Sequence, residues 1–302
     1  MVDAVVQQGR RERGRARRAP RHRAPQAAEN FLGTFTALGD LAYQGARVSA
    51  SVIDVETGRP LVAIDDRIVL PTASLGKVLL LIEVAARLTE RDFTGYGILD
   101  KTPRDAVGDS GIWQFLQAPS LPVADLAALV GSSSDNVATN VLLRQFGLPA
   151  VRQRAESLGL LRTAMLDKVR DERGPDDAPQ LSVGATAELA GLFGALARGE
   201  VVDTATSARV LGWLALNQDL SMVASAFGLD PLAHRDADHG LMLVNKTGTD
   251  SGVRAEAGVL RGPRTAVAYA VAIQFNDAHI WSRLRVLDTM RTIGLDLLEY
   301  VH

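Results

Sequence analysis

The alternation of apolar and polar residues along the chain defines three regions. Strand-like alternation occupies 47–54 and 61–64 near the start, and Leu241–Lys246, Arg254–Leu260 and Thr265–Phe275 near the end. The residues between them mainly show the three- and four-residue apolar spacing of helices. The pattern predicts an α+β fold: one antiparallel sheet built from both chain termini, flanked by helices, with an inserted all-helical lobe and a cleft between sheet and lobe.

The helical spacing gives eight predicted helices, two of which lie outside the lobe and flank the sheet. The predicted helices are Ala27–Tyr43, Lys77–Leu88, Val123–Val130, Val137–Gln145, Val151–Leu158, Ala185–Ala197, Thr204–Leu216 and Trp281–Val301. No internal repeat and no interior linker divides this region. Residues 27–302 are therefore predicted to form one domain.

The first residues of the chain differ from the rest in charge. Residues 1–30 contain eight arginines against three acidic residues, although the whole chain has a net charge of −2. Such a segment can be an arm that touches nucleic acid or anionic lipid, or a solvated extension. Because no aromatic residue lies among the arginines to stack on bases, we interpret 1–26 as a disordered tail and expect no nucleic-acid partner.

Composition excludes several kinds of chemistry and suggests a location. The absence of cysteine rules out thiolate metal sites and cysteine nucleophiles, and five scattered histidines argue against a histidine metal site, so no cofactor is expected. No purely apolar run, Val78–Ile82 among them, comes near the roughly 20 residues that a membrane helix needs. The tail has no apolar signal region. We therefore expect a cytoplasmic monomer without membrane contact, secreted only if the start of the chain is misassigned.

The first candidate motif is Ser74-Leu75-Gly76-Lys77, which opens a predicted helix. Residues spaced three apart share one helical face, so the Ser74 hydroxyl and the Lys77 amine can meet. Serine becomes nucleophilic when a neighbouring base takes its proton, and lysine can be that base if burial lowers its pKa. The positive end of the helix favours an oxyanion beside Ser74.

The second candidate motif is Ser134-Asp135-Asn136. Its hydroxyl can pass a proton to a leaving nitrogen, and its amide can bind a substrate carbonyl. The alternative is purely structural, because Ser-Asp-Asn before the apolar run Val137–Gln145 is good N-capping chemistry.

The third candidate motif is Lys246-Thr247-Gly248-Thr249, at the end of a predicted strand. Lysine supplies a positive field, threonine can bind a carboxylate, and glycine allows an extended ligand to approach the edge strand. The alternative is a strand end followed by a turn at Asp250-Ser251-Gly252. A separate segment, Gly108-Asp109-Ser110-Gly111, looks like the nucleophile segment of trypsin-like proteases. The only histidine before it is His22, so we interpret it as a loop turn.

The order Ser-x-x-Lys, Ser-Asp-Asn, Lys-Thr-Gly resembles that of the serine β-lactamase and penicillin-binding protein superfamily, and the spacings of 60 and 112 residues are similar to those of class A β-lactamases. The resemblance covers roughly residues 30–300. It implies that Ser74 is the acylated nucleophile and Lys77 its base or proton relay. It further implies that Ser134 protonates the leaving nitrogen and that Lys246 tunes the Ser134 hydroxyl.

The same resemblance implies a substrate-binding set. Asn136 would bind an acylamide side chain, and Thr247 and Gly248 would belong to the strand that lies along the substrate. The N–H group of Thr249, with that of the nucleophile, would form the oxyanion hole. Arg254 could anchor a carboxylate, although a surface arginine is equally compatible with its position.

The chain departs from the class A pattern in the loop at 165–180, where no Glu-x-x-Leu-Asn motif occurs. Counting along the loop puts Arg170 at the place of the glutamate that activates water, and the loop is some four residues shorter than usual. Glu172 is the only glutamate available as a general base, with Asp171 and two further aspartates as lesser candidates; the alternative is that all are solvated loop charges. Without a placed base, hydrolysis of the acyl-serine would slow by about 10²–10⁴-fold.

The resemblance therefore implies a serine hydrolase that opens a β-lactam or related amide with a carboxylate near the reacting carbonyl. Two alternatives stay open. One is a cytoplasmic esterase, peptidase or acyltransferase on the same scaffold. The other is a penicillin-binding sensor or trap that is acylated without turnover.

Overall fold

The computed structural model describes residues 31–90 and 97–302, and the predictions made for 1–26 and for the first residues of the opening helix lie outside that part of the chain. The α-helices are α1 (Leu32–Tyr43), α2 (Lys77–Thr89), α3 (Val123–Ser133), α4 (Asn136–Phe146), α5 (Leu148–Ser157), α6 (Thr186–Arg198), α7 (Thr204–Leu214) and α8 (Ile280–Val301). Each corresponds to a predicted helix, with ends shifted by a few residues.

Residues 31–90 and 97–302 contain five long strands and five short ones. They are β1 (Arg47–Asp54), β2 (Pro60–Ile64), β3 (Leu70–Pro71), β4 (Ile98–Asp100), β5 (Ser120–Pro122), β6 (Ala164–Met165), β7 (Ser182–Gly184), β8 (Met242–Asp250), β9 (Val253–Arg261) and β10 (Ala266–Gln274). The long strands form one antiparallel sheet in the order β2-β1-β10-β9-β8. The pairing of β1 with β10 joins the two ends of the chain and confirms the predicted α+β topology.

The two faces of the sheet differ in composition because they meet different partners. The face towards α1 and α8 carries bulky residues such as Val52, Tyr269 and Ile273. The opposite face carries a row of alanines, including Ala257 and Ala270, in one core with the helical lobe. Small side chains let helices approach the sheet closely, so α6 lies directly on it.

The edge strand β8 determines where a substrate can bind. Only one of its sides is paired, with β9, so the other edge faces the lobe. The turn before α2 packs against this edge. The free edge of β8 is therefore the junction of the lobe and the sheet. In the described part of the chain, no helix has the length and apolar character needed to cross a bilayer.

Candidate active site

Ser74 and Lys77 lie on consecutive elements at the junction. Ser74 is part of a 3₁₀ turn, Ala73–Gly76, and Lys77 is the first residue of α2. Ser74 is half-buried, whereas Lys77 is completely buried. The preceding Ala73 has a φ of 47°, a left-handed conformation that costs energy for alanine and is typical of functional sites.

Hydrogen bonds from β7 hold this turn. The Ser182 hydroxyl donates to the carbonyl oxygen of Ala73 at 2.6 Å and lies 2.7 Å from the Thr72 hydroxyl. A β-carbon on Gly76 would lie 2.3 Å from that of Ser182, so the contact requires glycine at position 76. The nucleophile turn is therefore fixed by a strand too short to be recognised in the sequence.

Gly248 brings β8 against the same turn. A β-carbon at this position would lie 2.0 Å from the carbonyl oxygen of Thr72, a separation that backbone atoms cannot tolerate. Glycine in the third motif is thus explained by contact with the nucleophile turn.

The Gly248→Ala variant is expected to fold but to acylate about 10-fold more slowly, because the methyl group forces β8 away from Ser74. The measurement is the rate of covalent adduct formation with benzylpenicillin. Gly191→Ala, in α6 with open space around the new methyl group, is the control. Equal acylation rates in the two variants would refute the proposed role of this contact.

The Ser134-Asp135-Asn136 motif has both roles considered for it. Asp135 is the N-cap of α4, accepting from the N–H of Ala138 at 2.9 Å, and its second oxygen accepts from the N–H of Trp113 at 2.8 Å. Ser134 is the C-cap of α3 and has a φ of 56°, a left-handed conformation between the two helices. Asp135 therefore has the structural capping role, and its hydrogen bonds hold Ser134 and Asn136 in place for their candidate chemical role.

Both catalytic-candidate lysines converge on Ser134. The Lys77 amine lies 3.2 Å from the Ser134 hydroxyl and donates to the Ser134 carbonyl oxygen at 2.7 Å and to Oδ1 of Asn136 at 2.6 Å. The Lys246 amine lies 3.1 Å from the same hydroxyl and donates to the Thr247 carbonyl oxygen at 2.9 Å. The structure therefore brings together parts of all three motifs.

Burial makes both lysines unusual acids. Desolvation, followed by the positive charge of Lys246, holds the pKa of Lys77 well below its usual range. Burial lowers the pKa of Lys246 to about 8, although the negative charge of Asp219 opposes the shift. At neutral pH, Lys77 is therefore suited to accept a proton while Lys246 remains mostly charged.

Ser74 and Ser134 face one groove along the free edge of β8. The groove encloses about 380 Å³, enough for a small molecule. Its lining is rich in hydroxyl and amide groups: Ser74, Ser110, Ser132, Ser133, Ser134, Asn217, Gln218, Asp219, Thr247 and Thr249. A second recess, which we call the loop recess, shares Ser74, Ser110 and Thr249 with the groove. Its other lining residues include Asp109, Asn136, Val169, Asp171 and Asp250.

Two predicted site residues lie elsewhere. Arg254 is buried on β9 opposite Thr249; its guanidinium donates to the carbonyl oxygens of Asp250 and Val253 and lies 5.8 Å from the centre of the Phe275 ring. Arg254 lines neither the groove nor the loop recess. Glu172 is exposed and also lines neither, because its side chain projects from the loop into solvent. The structure thus gives no support to Glu172 as a general base.

The loop at 165–180 presents Val169 at the recess. The side chain of Asn140 on α4 fixes the Val169 backbone at both groups, accepting from its N–H at 2.9 Å and donating to its carbonyl oxygen at 3.0 Å. Arg170 also lines the recess, but its guanidinium forms ion pairs with Asp167 at 2.7 Å and Asp177 at 2.9 Å. Asp171 accepts from the N–H of Gly108 at 2.8 Å.

The sequence analysis did not identify Asn140, Asn217 and Asp219, which belong to no motif. Their positions relative to the motifs are the only indication of them in the sequence. Asn140 is buried one helical turn after Asn136 of the second motif, and the other two lie between α7 and the strand β8 that carries the third motif. Among the described residues, no group of three or more histidine, aspartate or glutamate side chains could hold a metal ion.

A family model described as the beta-lactamase enzyme family matches residues 34–301. The chain belongs to that family. This membership confirms the expected superfamily and the expected reaction class, a hydrolase that acts on β-lactam amide bonds. No curated protein sequence matches this family member.

Solved structures similar to this family member confirm its fold. A β-lactamase from Sphaerobacter thermophilus DSM 20745 is 22% identical, with a TM-score of 0.76 over 87% of this chain and 95% of that one. PBP-A is 17% identical, with a TM-score of 0.75 over 89% and 95% of the two chains. The L158E mutant of PBP-A, solved as an acyl-enzyme complex with penicillin G, is 17% identical, with a TM-score of 0.73 over the same shares.

Proposed function

We propose that this chain is a serine hydrolase that opens β-lactams, or related amides with a nearby carboxylate, through an acyl-enzyme on Ser74. The observation that carries the proposal is the convergence of two fully buried lysine amines on the Ser134 hydroxyl, in the groove that Ser74 lines. A proton relay of this kind serves acyl transfer to a serine. The penicillin acyl-enzyme of the PBP-A mutant supports the same chemistry for this site.

The proposed acylation moves one proton from Ser74 to the leaving nitrogen. As Oγ of Ser74 bonds to the carbonyl carbon, the Lys77 amine takes its proton, and the N–H groups of Ser74 and Thr249 receive the developing oxyanion. The carbon–nitrogen bond then breaks as Ser134 protonates the nitrogen. The Lys77 ammonium, hydrogen-bonded to Ser134, returns a proton to that hydroxyl. Lys77 and Ser134 end in their starting states, and Ser74 carries an ester.

The proposed deacylation is slow because the loop at 165–180 places Val169 and Arg170, and no glutamate, at the loop recess. Val169 is apolar, and an oxygen of Asp171 already accepts a hydrogen bond from Gly108. General base catalysis contributes about 10²–10⁴-fold to such a step. We therefore expect the acyl-enzyme to accumulate during turnover.

Intact-mass spectrometry after addition of benzylpenicillin tests the proposal. An adduct that forms and then decays, with steady hydrolysis of nitrocefin, supports the hydrolase. An adduct that persists without nitrocefin turnover supports the sensor or trap. No adduct, with hydrolysis of a p-nitrophenyl ester, would replace the proposal with the esterase alternative.

The charge of Lys246 predicts a fall in acylation rate at alkaline pH. Its pKa of about 8 means that the ammonium is present below pH 8 and is lost above it, together with its field on Ser134 and on a substrate carboxylate. Acylation by benzylpenicillin, followed from pH 6 to 10, should decline near pH 8. In Lys246→Arg the guanidinium stays charged, so the decline should move upward by at least one pH unit. An unchanged decline would remove Lys246 from this role.

The finer expectations about partners and location remain predictions. The groove supports a small-molecule substrate. We propose a cytoplasmic monomer without a nucleic-acid partner. Cell fractionation, light scattering and a DNA-binding titration of the full chain would test the three parts separately.

A further inference from the structure

Glu256 on β9 is a completely buried carboxylate outside the set of residues that the motifs indicate. Its Oε1 accepts from the Tyr269 hydroxyl at 2.7 Å and from the Asn245 amide at 2.8 Å. Its Oε2 accepts from the N–H of Val223 at 2.7 Å. Every one of these donors is neutral, so the carboxylate is held by hydrogen bonds and not by an ion pair.

The two oxygens of Glu256 connect to the same wall of the groove by separate routes. On one route, Oδ1 of Asn245 accepts from the amide of Asn217 at 2.9 Å, and Asn217 lines the groove. On the other, the N–H of Val223 belongs to the 3₁₀ turn Val223–Ala226, which follows the lining segment 217–219 by a few residues. Glu256 thus contacts the start of that segment through Asn245 and contacts the turn that follows the segment directly.

The wall segment connects the sheet to the lobe beside the proposed proton relay. The N–H of Gln218 donates to the carbonyl oxygen of Ser132 in the lobe at 3.0 Å. Asn217 contacts Asn245, which immediately precedes Lys246 on β8. Displacement of this segment would therefore change the spacing between Lys246 and Ser134.

We propose that Glu256 is a positioning residue whose carboxylate form holds the groove wall 217–219 against β8, and whose protonation loosens that wall. The proposal rests on the proposed function, because the wall matters only if Ser74 is acylated in this groove. Protonation turns one carboxylate oxygen into a donor, so a hydrogen bond from Val223 or Asn245 must be lost or the one with the Tyr269 hydroxyl must reverse its direction.

The charged and titratable groups around Glu256 leave it free to change state near neutrality. Tyr269 on β10 remains protonated because burial raises its pKa well above the usual range, and Asp219 in the wall adds a negative charge. Arg254 lies two residues along β9, and Arg291 of α8 contacts the carbonyl of Ser225; neither makes an ion pair with Glu256 among the described residues. Burial raises the pKa of Glu256 to about 7 despite its hydrogen bonds.

Glu256→Gln tests the proposal, because glutamine keeps one acceptor oxygen but turns a donor towards the N–H of Val223. The rate of acylation by benzylpenicillin is measured by intact mass from pH 5.5 to 8.5. At pH 8 the rate of Glu256→Gln should be about 10-fold lower than that of the wild type. Wild-type acylation should rise through pH 7 as Glu256 ionises, and this rise should be absent from the variant.

Asp54→Asn is the control for mere loss of stability. Asp54 is a buried carboxylate at the β1–β2 turn, held by Thr57 and Tyr300, away from the groove. It should lower the Tm and leave the acylation profile of the folded protein unchanged. Wild-type kinetics in Glu256→Gln, or the same loss in Asp54→Asn, would overturn the proposal. A wild-type protein that forms no adduct would instead overturn the proposed function.

Discussion

Replacement of Ser74 with alanine is expected to abolish the covalent adduct with benzylpenicillin, because no oxygen would remain at the start of α2 to form the ester. We expect the acylation rate to fall by at least about 10³-fold. Folding should be retained, since Ser74 is half-buried in a turn held by its neighbours. Intact-mass spectrometry of the full chain measures the adduct, and Tm reports the fold.

Ser110→Ala is the matched control for this variant. Ser110 lines both the groove and the loop recess, and belongs to the Gly-Asp-Ser-Gly segment that looks like a protease nucleophile. It should be acylated normally at Ser74. Survival of the adduct in Ser74→Ala, with its loss in Ser110→Ala, would assign the nucleophile to Ser110 and refute the proposed mechanism.

Replacement of Val169 with glutamate is expected to accelerate deacylation by about 10²–10⁴-fold, the usual contribution of a general base. The Val169 backbone is fixed by Asn140, and its side chain lines the recess beside Ser74, so a carboxylate there can reach a water next to the ester. Arg170 would compete little for it, because that guanidinium is already paired with Asp167 and Asp177.

Two control variants test whether the carboxylate itself, and its position, cause the faster deacylation. In Val169→Gln the side chain is nearly the same size as glutamate but cannot accept a proton from the attacking water. Its acyl-enzyme should therefore persist as in the wild type. Glu172→Gln removes an exposed carboxylate outside the recess and should leave turnover unchanged. The decay of the adduct mass gives each rate. If Val169→Glu and Val169→Gln decay equally, position 169 is not where water is activated.

Long periodic segments explain why the architecture was predictable. The strand patterns at both ends and the helical spacing between them predicted the sheet that β1 and β10 close and the lobe that it carries. The short strands β3 and β7 were not predicted, since two or three residues show no period. Yet β7 provides Ser182, which fixes the nucleophile turn.

The loop at 165–180 was the least predictable part of the site. Counting along the chain placed Arg170 where a general base was expected, and Glu172 was the remaining candidate. The structure instead fixes the Val169 backbone with Asn140 and leaves Glu172 in solvent. A loop has no periodicity, so its register depends on contacts with α4 that only the folded chain contains.

The role of Glu256, inside a strand, also could not be predicted from the sequence alone. An acidic residue within the apolar run of β9 was visible in the sequence, but its meaning depends on neighbours contributed by β8, β10 and the turn at 223–226. Its raised pKa follows from complete burial, a property of the whole sheet and not of the residue.

The sequence by itself determined the fold class and indicated the four candidate groups Ser74, Lys77, Ser134 and Lys246, because apolar periodicity and residue chemistry are local properties. Tertiary structure alone decided which groups meet. Hydrogen bonds and electrostatic shifts act over a few ångströms, and only chain packing brings Lys77 and Lys246, which are 57 and 112 positions from Ser134, within that range.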